Sequence, residues 1–94
     1  KDYPATDAAI PETRLWLGKS LIAAGETDNG ILEVLKVPVL YPGSPFIAEA
    51  YAEAARGYEK LKNINKSRMM YEEVLKAKPS PELSSEAEAA LKKP

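Results

Sequence analysis

The 94-residue sequence contains no cysteine and no histidine. This absence excludes disulfide bonds, thiolate nucleophiles, zinc sites built from those residues and imidazole acid–base catalysis. No apolar run approaches the roughly 20 residues that a membrane-spanning helix needs, so membrane insertion is not predicted. The chain starts at Lys1 without a methionine or a signal-like segment. We therefore expect a piece of a longer protein, with any targeting signal outside these residues.

Neither sign of charge is in excess. Lysine and arginine total 13, aspartate and glutamate total 14, and the two signs are interspersed. Without a block of like charge, neither a nucleic-acid groove nor an anionic membrane is predicted as a partner. One basic cluster is interpreted as solvated helix ends, because no aromatic platform for stacking bases accompanies it. The cluster consists of Lys60, Lys62, Lys66 and Arg68.

The sequence does not predict an enzyme. Four glutamates could be proposed as paired carboxylates: Glu49, Glu53, Glu72 and Glu73. Helical spacing produces such pairs by chance, however, and acid–base catalysis also needs an apolar cleft that shifts a pKa. The sequence carries no glycine-rich phosphate loop, nucleophile motif or metal-binding constellation. We expect no cofactor and no metal.

Prolines mark an internal period. Pro4 and Pro42 are 38 residues apart, and Pro42 and Pro79 are 37 apart. A fixed period of this length is typical of helical-repeat proteins. A shift of 37 residues also pairs small with small and apolar with apolar positions in most cases. Such pairs include Leu17 with Ala54, Gly18 with Ala55, Leu21 with Tyr58, and Val34 with Tyr71.

Within each period, apolar residues recur at helical spacing, and no segment alternates as a half-buried strand does. Five helices are predicted. Gly25 is expected to end the first in the left-handed conformation, and Pro38 to stop or kink the second. The predicted helices are Pro11 to Ala24, a second capped by Thr27 or Asp28, a third from Ser44–Pro45 to about Lys62, a fourth after Asn63 or Asn65, and a fifth from Glu82 to about Lys92.

The segments "LWLGKSLIAAG" and "YAEAARGYEKLKN" resemble tetratricopeptide repeats. That family places a large residue, Leu-Gly and an aromatic in one helix, then an alanine, an aromatic, an alanine and a proline in the next. In the second period these places are held by Tyr51, Ala54–Ala55, Tyr58, Ser67, Tyr71, Val74 and Pro79. In the first they are held by Arg14, Leu17–Gly18, Leu21, Gly30, Val34, Val37 and Pro42. Arg14 and the internal Pro38 depart from the pattern.

The resemblance implies one all-α domain over residues 1–94, an α-solenoid of antiparallel helix pairs with about five helices. Its expected parts are the tail of a preceding repeat (1–10), repeat one (11–43), repeat two (44–79) and a C-terminal capping helix (80–94). Small residues are expected where paired helices approach near the short end of the usual 8–10 Å spacing. They are Gly18 with Gly30, and Ala55 with Ser67.

The family binds peptides along the first helices of successive repeats, so the resemblance implies a non-catalytic interaction or scaffold module. Carried over, the groove would be lined by Glu12, Leu15, Lys19, Ile22, Glu49, Ala52, Glu53, Arg56 and Glu59. Glu53 and Glu59 disfavour capture of a C-terminal carboxylate, so a basic or apolar peptide is expected. Trp16 and Arg56 are the predicted anchors.

The first helix is predicted to be apolar on two sides, which implies two neighbours. Leu17, Gly18, Leu21 and Ala24 are expected to form its inner face, with Leu15, Trp16 and Ile22 largely off it. The second neighbour is either a preceding repeat or a partner held by the tryptophan. The alternative function is a structural spacer or a homo-oligomer formed through this helix.

A narrower resemblance concerns the junction "YPGSPFIAEAYAEAARGY". It is similar to junctions in bacterial cell-envelope members of the family, such as outer-membrane assembly lipoproteins and periplasmic division-linked proteins. This resemblance implies a periplasmic or envelope scaffold.

Overall fold

The computed structural model describes residues 10–93, which form five α-helices and no β-strand. The helices are α1 (Pro11–Ala23), α2 (Thr27–Leu40), α3 (Ile47–Lys60), α4 (Ile64–Lys76) and α5 (Pro81–Lys92). The all-α class and the number of helices predicted from the sequence are therefore confirmed. The predicted tail of a preceding repeat lies, apart from Ile10, outside the described residues.

Each helix packs against the next one along the chain, from α1 on α2 through to α4 on α5. Alternate helices also touch, α1 with α3 and α3 with α5. The molecule measures 47 Å along its longest principal axis and 19 Å along its shortest. The two helix pairs, α1 with α2 and α3 with α4, thus follow one another along an elongated body that α5 ends.

Helices α1 and α2 approach closely at Gly18 and Gly30. A Cβ atom on Gly18 would lie 2.8 Å from the carbonyl oxygen of Gly30, and one on Gly30 would lie 2.7 Å from that of Gly18. Neither position therefore accepts a side chain unless the helices move apart. Their counterparts 37 residues on, Ala55 and Ser67, are also buried. The predicted close approach of the first pair is confirmed.

The turn within each helix pair recurs after 37 residues. Gly25 and Lys62 both adopt the left-handed conformation, with φ of 93° and 63°. The helix-ending role predicted for Gly25 is thus confirmed. The same backbone hydrogen bonds surround both residues. They are Gly25 N–H to Ile22 O (3.1 Å) and Lys62 N–H to Glu59 O (3.0 Å), then Glu26 N–H to Leu21 O (2.8 Å) and Asn63 N–H to Tyr58 O (2.9 Å).

The apolar core consists of two clusters that share helix α3. The first joins α1, α2 and α3 through Leu15, Ile22, Ile31, Val34, Val37, Ala50 and Ala54. The second joins α3, α4 and α5 through Ala52, Ala55, Tyr71, Val74 and Ala87. Partly buried Met70 packs against both clusters. Helix α3 therefore uses one side for the preceding pair and another for the elements that follow.

Pro38 was predicted to stop or kink the second helix, and the predicted stop is wrong. Helix α2 continues to Leu40, and the N–H of Tyr41 donates to the carbonyl of Val37 (2.9 Å). Val37 is fully buried, and burying a valine contributes about 1.5–3 kcal/mol, which is comparable with the cost of about 3 kcal/mol for a proline inside a helix. The burial of Val37 thus favours a helical conformation at the residue before the proline, which the proline itself disfavours. Thr27 is a buried first residue rather than a cap, since the helix follows Glu26.

Among the later helix starts, the one predicted at Ser44–Pro45 is wrong, whereas those predicted after Asn63 and at Glu82 are confirmed to within one residue. The hydroxyl of Ser44 accepts the N–H of Phe46 (3.0 Å), but only a turn follows, and α3 begins at Ile47. Asn63 caps α4, and Ser80 caps α5 with a proline at the first helical position. Their side chains accept backbone N–H groups at 3.2 Å and 3.3 Å. Both caps are polar residues of the kind that commonly precede a helix, and proline is common at the first helical position.

Candidate partner-binding surface

Trp16 is the aromatic side chain predicted to bind a partner. It lies on α1 with 68% of its surface accessible, off the packed face as predicted. The ammonium group of Lys19, one turn along, is 5.9 Å from the centre of the indole ring. An exposed indole offers a partner a large apolar surface, and ordering its side chain on binding costs little entropy. The contact with the ammonium group of Lys19 stabilises the exposed indole only weakly. Trp16 is therefore free to cover another apolar group.

Ion pairs join helices α1, α3 and α5. Lys19 on α1 pairs with Glu49 on α3 at 3.5 Å, and Arg56 on α3 pairs with Glu86 on α5 at 2.6 Å. Lys19 and Arg56 are 37 residues apart, and so are Glu49 and Glu86. The same contact is thus made twice, once at each step along the body. The predicted groove residues Lys19, Glu49, Glu53 and Arg56 belong to this charged strip.

Arg56 is held by two helices at once. Its guanidinium donates two hydrogen bonds to Glu86 (2.6 and 2.7 Å) and one to Glu53 (2.6 Å). The hydroxyl of Tyr71 also donates to Glu86 (3.3 Å). The hydrogen bond from Arg56 lowers the pKa of Glu86, and burial raises the pKa of Tyr71. Arg56 therefore fastens α5 to α3, and its charge is already balanced before any partner binds.

Three predicted groove residues lie in the core, which corrects the prediction for them. Leu15, Ile22 and Ala52 are only 4%, 6% and 1% exposed. The predicted inner face of α1 is wrong in part: Gly18 is buried, but Leu17 is 47% exposed and Ala24 is also exposed. The reason is that α1 packs on both α2 and α3, and Leu15 and Ile22 belong to the core cluster that these three helices form. Glu12 and Glu59 remain at the surface.

A second surface was not anticipated from the sequence. It is a shallow depression of about 800 Å³ on the outer side of α1 and α2, which we call the α1–α2 patch. Its lining residues are Arg14, Leu21, Asn29, Leu32, Glu33, Leu35, Lys36, Val39 and Leu40. Leu32 and Val39 expose 63% and 75% of their surface. Leu32 and Val39 are seven residues apart and therefore lie on one side of α2, away from its buried residues. This spacing is the sequence feature that could have indicated an apolar outer face.

Three charged side chains cross the α1–α2 patch. Glu33 accepts from Lys36 at 2.8 Å and lies 3.5 Å from the guanidinium of Arg14. The Nε–H of Arg14 is buried and finds no acceptor within residues 10–93. A buried donor without an acceptor costs about 1–3 kcal/mol. The patch is thus mainly apolar and carries charged side chains of both signs.

Comparisons with known proteins give no match to a family model, to a curated protein or to a solved structure. The helices between residues 10 and 93 are all too short or too polar to cross a bilayer. Within the same range, acidic side chains do not gather into a group of three or more that could hold a metal ion. The surfaces themselves are what remains for assigning a function.

Proposed function

We propose that the chain is a non-catalytic protein-interaction module of the tetratricopeptide type, which binds peptide segments along its first helices. The observation that carries this proposal is the exposed Trp16, placed at the end of the charged strip that runs over α1, α3 and α5. The recurrence of turn, ion pair and helix order after 37 residues supports the repeat architecture.

The chemistry of the strip favours a peptide that is both apolar and basic. Trp16 supplies an apolar face on α1. Glu12 on α1 and Glu59 on α3 are exposed acidic residues. Glu49 and Glu53 are partly exposed beside them. An aliphatic or aromatic side chain would cover the indole, and a lysine or arginine would meet the acids. The resemblance of the junction at residues 41–58 to bacterial envelope proteins favours a periplasmic partner.

The proposal is tested with peptides selected from a random display library on the immobilised chain. Trp16 is the only tryptophan, so its fluorescence reports on this surface alone. We expect selected peptides to shift the emission to shorter wavelength as they bury the indole. Trp16→Ala should weaken their binding at least about tenfold, as loss of a central aromatic anchor does. Ile64→Ala, which removes an exposed apolar side chain on α4, is the matched control and should bind normally.

Two results would count against the proposal. If selection yields no peptide above a helical control protein, the module does not bind peptides. If peptides bind but neither the emission nor the Trp16→Ala variant responds, the first helices are not the site. Arg56→Glu is a poor test, because it would also detach α5 by breaking the contact with Glu86.

A further inference from the structure

We propose that the α1–α2 patch is a self-association surface through which two copies of this chain pack face to face about a two-fold axis. The surface is separate from the peptide-binding strip, because Trp16 does not line the patch. The apolar contact is centred on Leu32 and Val39, with Leu40 beside them. No helix within residues 10–93 covers this face, and the second copy would cover it.

The apolar character of the patch is not needed for the fold. The position equivalent to Val39 in the second helix pair, 37 residues on, is Lys76, which is exposed on α4. The fold therefore accepts a lysine at this place, yet α2 carries a valine that is 75% exposed. Exposed apolar side chains gathered into one patch mark an interaction surface.

The opposite end of the molecule does not complement the patch. Helix α5 shows solvent a polar face, formed by Glu82, Ser85, Glu88 and Lys92. Packing this face on Leu32 and Val39 would remove charged groups from water without partners, which is costly. Head-to-tail association is thus disfavoured, whereas two like patches bury apolar surface on both copies. A contact of that kind closes as a dimer instead of extending into a filament.

The charges on the patch are self-complementary. Arg14 and Lys36 are cationic, and Glu33 lies between them. Across a two-fold axis, the Glu33 carboxylate of one copy can face the cations of the other. The net charge of −1 adds little long-range repulsion between copies.

The test is the mass of the chain in solution, measured by sedimentation velocity from about 5 to about 500 µM, the range in which small interfaces dissociate. We expect the wild type to pass from monomer to dimer within this range. Leu32→Lys and Val39→Lys should each weaken dimerisation at least about tenfold, because a lysine would be buried opposite its own copy. Both positions are exposed, so circular dichroism should show an unchanged helical fold.

The matched control is Met69→Lys, the equivalent of Leu32 on the second helix pair. Met69 is 57% exposed on α4, so this variant adds the same charge away from the patch and should dimerise as the wild type does. Because the chain has no cysteine, Val39→Cys introduces a single thiol. It should give a disulfide-linked dimer on mild oxidation, whereas Met69→Cys should give markedly less.

Several outcomes would overturn the proposal. A monomer at every concentration would do so, and so would a dimer that Leu32→Lys and Val39→Lys leave intact. Equal loss in Met69→Lys, or equal cross-linking through Met69→Cys, would place the contact elsewhere. Trp16→Ala should not affect dimerisation, so this proposal and that of peptide binding can fail independently.

Discussion

Gly18 and Gly30 set the distance between α1 and α2. Each leaves room for the backbone of the other helix, and each would bring a Cβ atom within 3 Å of the opposing carbonyl oxygen if replaced. A residue without a side chain thus acts here through packing, since no positive φ is recorded at either position. The first helix pair depends on both positions.

Gly30→Ala should lower the free energy of unfolding by about 1–3 kcal/mol, because the added methyl group overpacks the contact with Gly18. Urea unfolding followed by circular dichroism measures this loss. Gly43→Ala is the control, since a Cβ atom at Gly43 would meet nothing within 4 Å. The control should change stability by less than about 0.5 kcal/mol. Equal stability of the two variants would contradict the close approach.

The sequence predicted which residues are small but not which side of α1 is buried. Leu15, Trp16 and Leu17 are consecutive and all apolar, so periodicity alone selects no face. The choice is made by tertiary packing, since Leu15 belongs to the core cluster that α1 forms with α2 and α3, whereas Leu17 lies at the surface. The local pattern of apolar residues in α1 contains no information on contacts with a helix more than 30 residues away along the chain. The position of Trp16 off the packed face was nevertheless predicted.

At the scale of the elements, helix α5 is fastened to the body by polar contacts as well as by its apolar stripe. Glu86 joins it to α3 through Arg56 and to α4 through Tyr71. Arg68 on α4 donates to the carbonyl oxygens of Ala90, Leu91 and Lys93 at the C-terminal end of α5, where helix carbonyls have few intrahelical partners. The capping helix is thus held at its middle and at its C-terminal end.

The contact of Glu86 should make stability depend on pH. Arg56 lowers the pKa of Glu86 in the folded chain below its ordinary value near 4.5. Glu86 therefore stabilises the fold above that value, and the contribution is lost as the pH falls through the lowered pKa. Between pH 7 and pH 3, Glu86→Gln should lose less unfolding free energy than the wild type, by up to about 1 kcal/mol, since the pair is partly exposed.

Urea unfolding at a series of pH values checks this expectation. Glu88→Gln, an exposed glutamate of the same helix, is the control and should follow the wild type. Parallel pH profiles for the wild type and Glu86→Gln would show that the contact with Arg56 does not stabilise the folded state.

This contact was within reach of the sequence. The 37-residue shift places Lys19 on Arg56 and Glu49 on Glu86, so one ion pair implies the other. Pro38 was the opposite case. Its local effect predicts a stop or a kink, whereas α2 continues to Leu40, and the burial of Val37 beside the proline is a tertiary effect that no local rule contains.

At the scale of the whole molecule, the two ends differ. The α5 end is polar, and the α1–α2 end carries the apolar patch. The number and order of helices could be predicted because prolines, caps and the 37-residue period all agree. The patch was not foreseen, because Leu32 and Val39 fit an amphipathic helix equally well as core residues. Only the positions of α1 and α3 show that neither helix covers them.

The central claim is that two helix pairs repeat one set of contacts 37 residues apart. Through-space contacts measured by solution NMR test it most directly. The account predicts contacts between the α-protons of Gly18 and Gly30, together with contacts between the methyl group of Ala55 and the α-proton of Ser67. Absence of either set, in a chain whose helices are intact, would contradict the account.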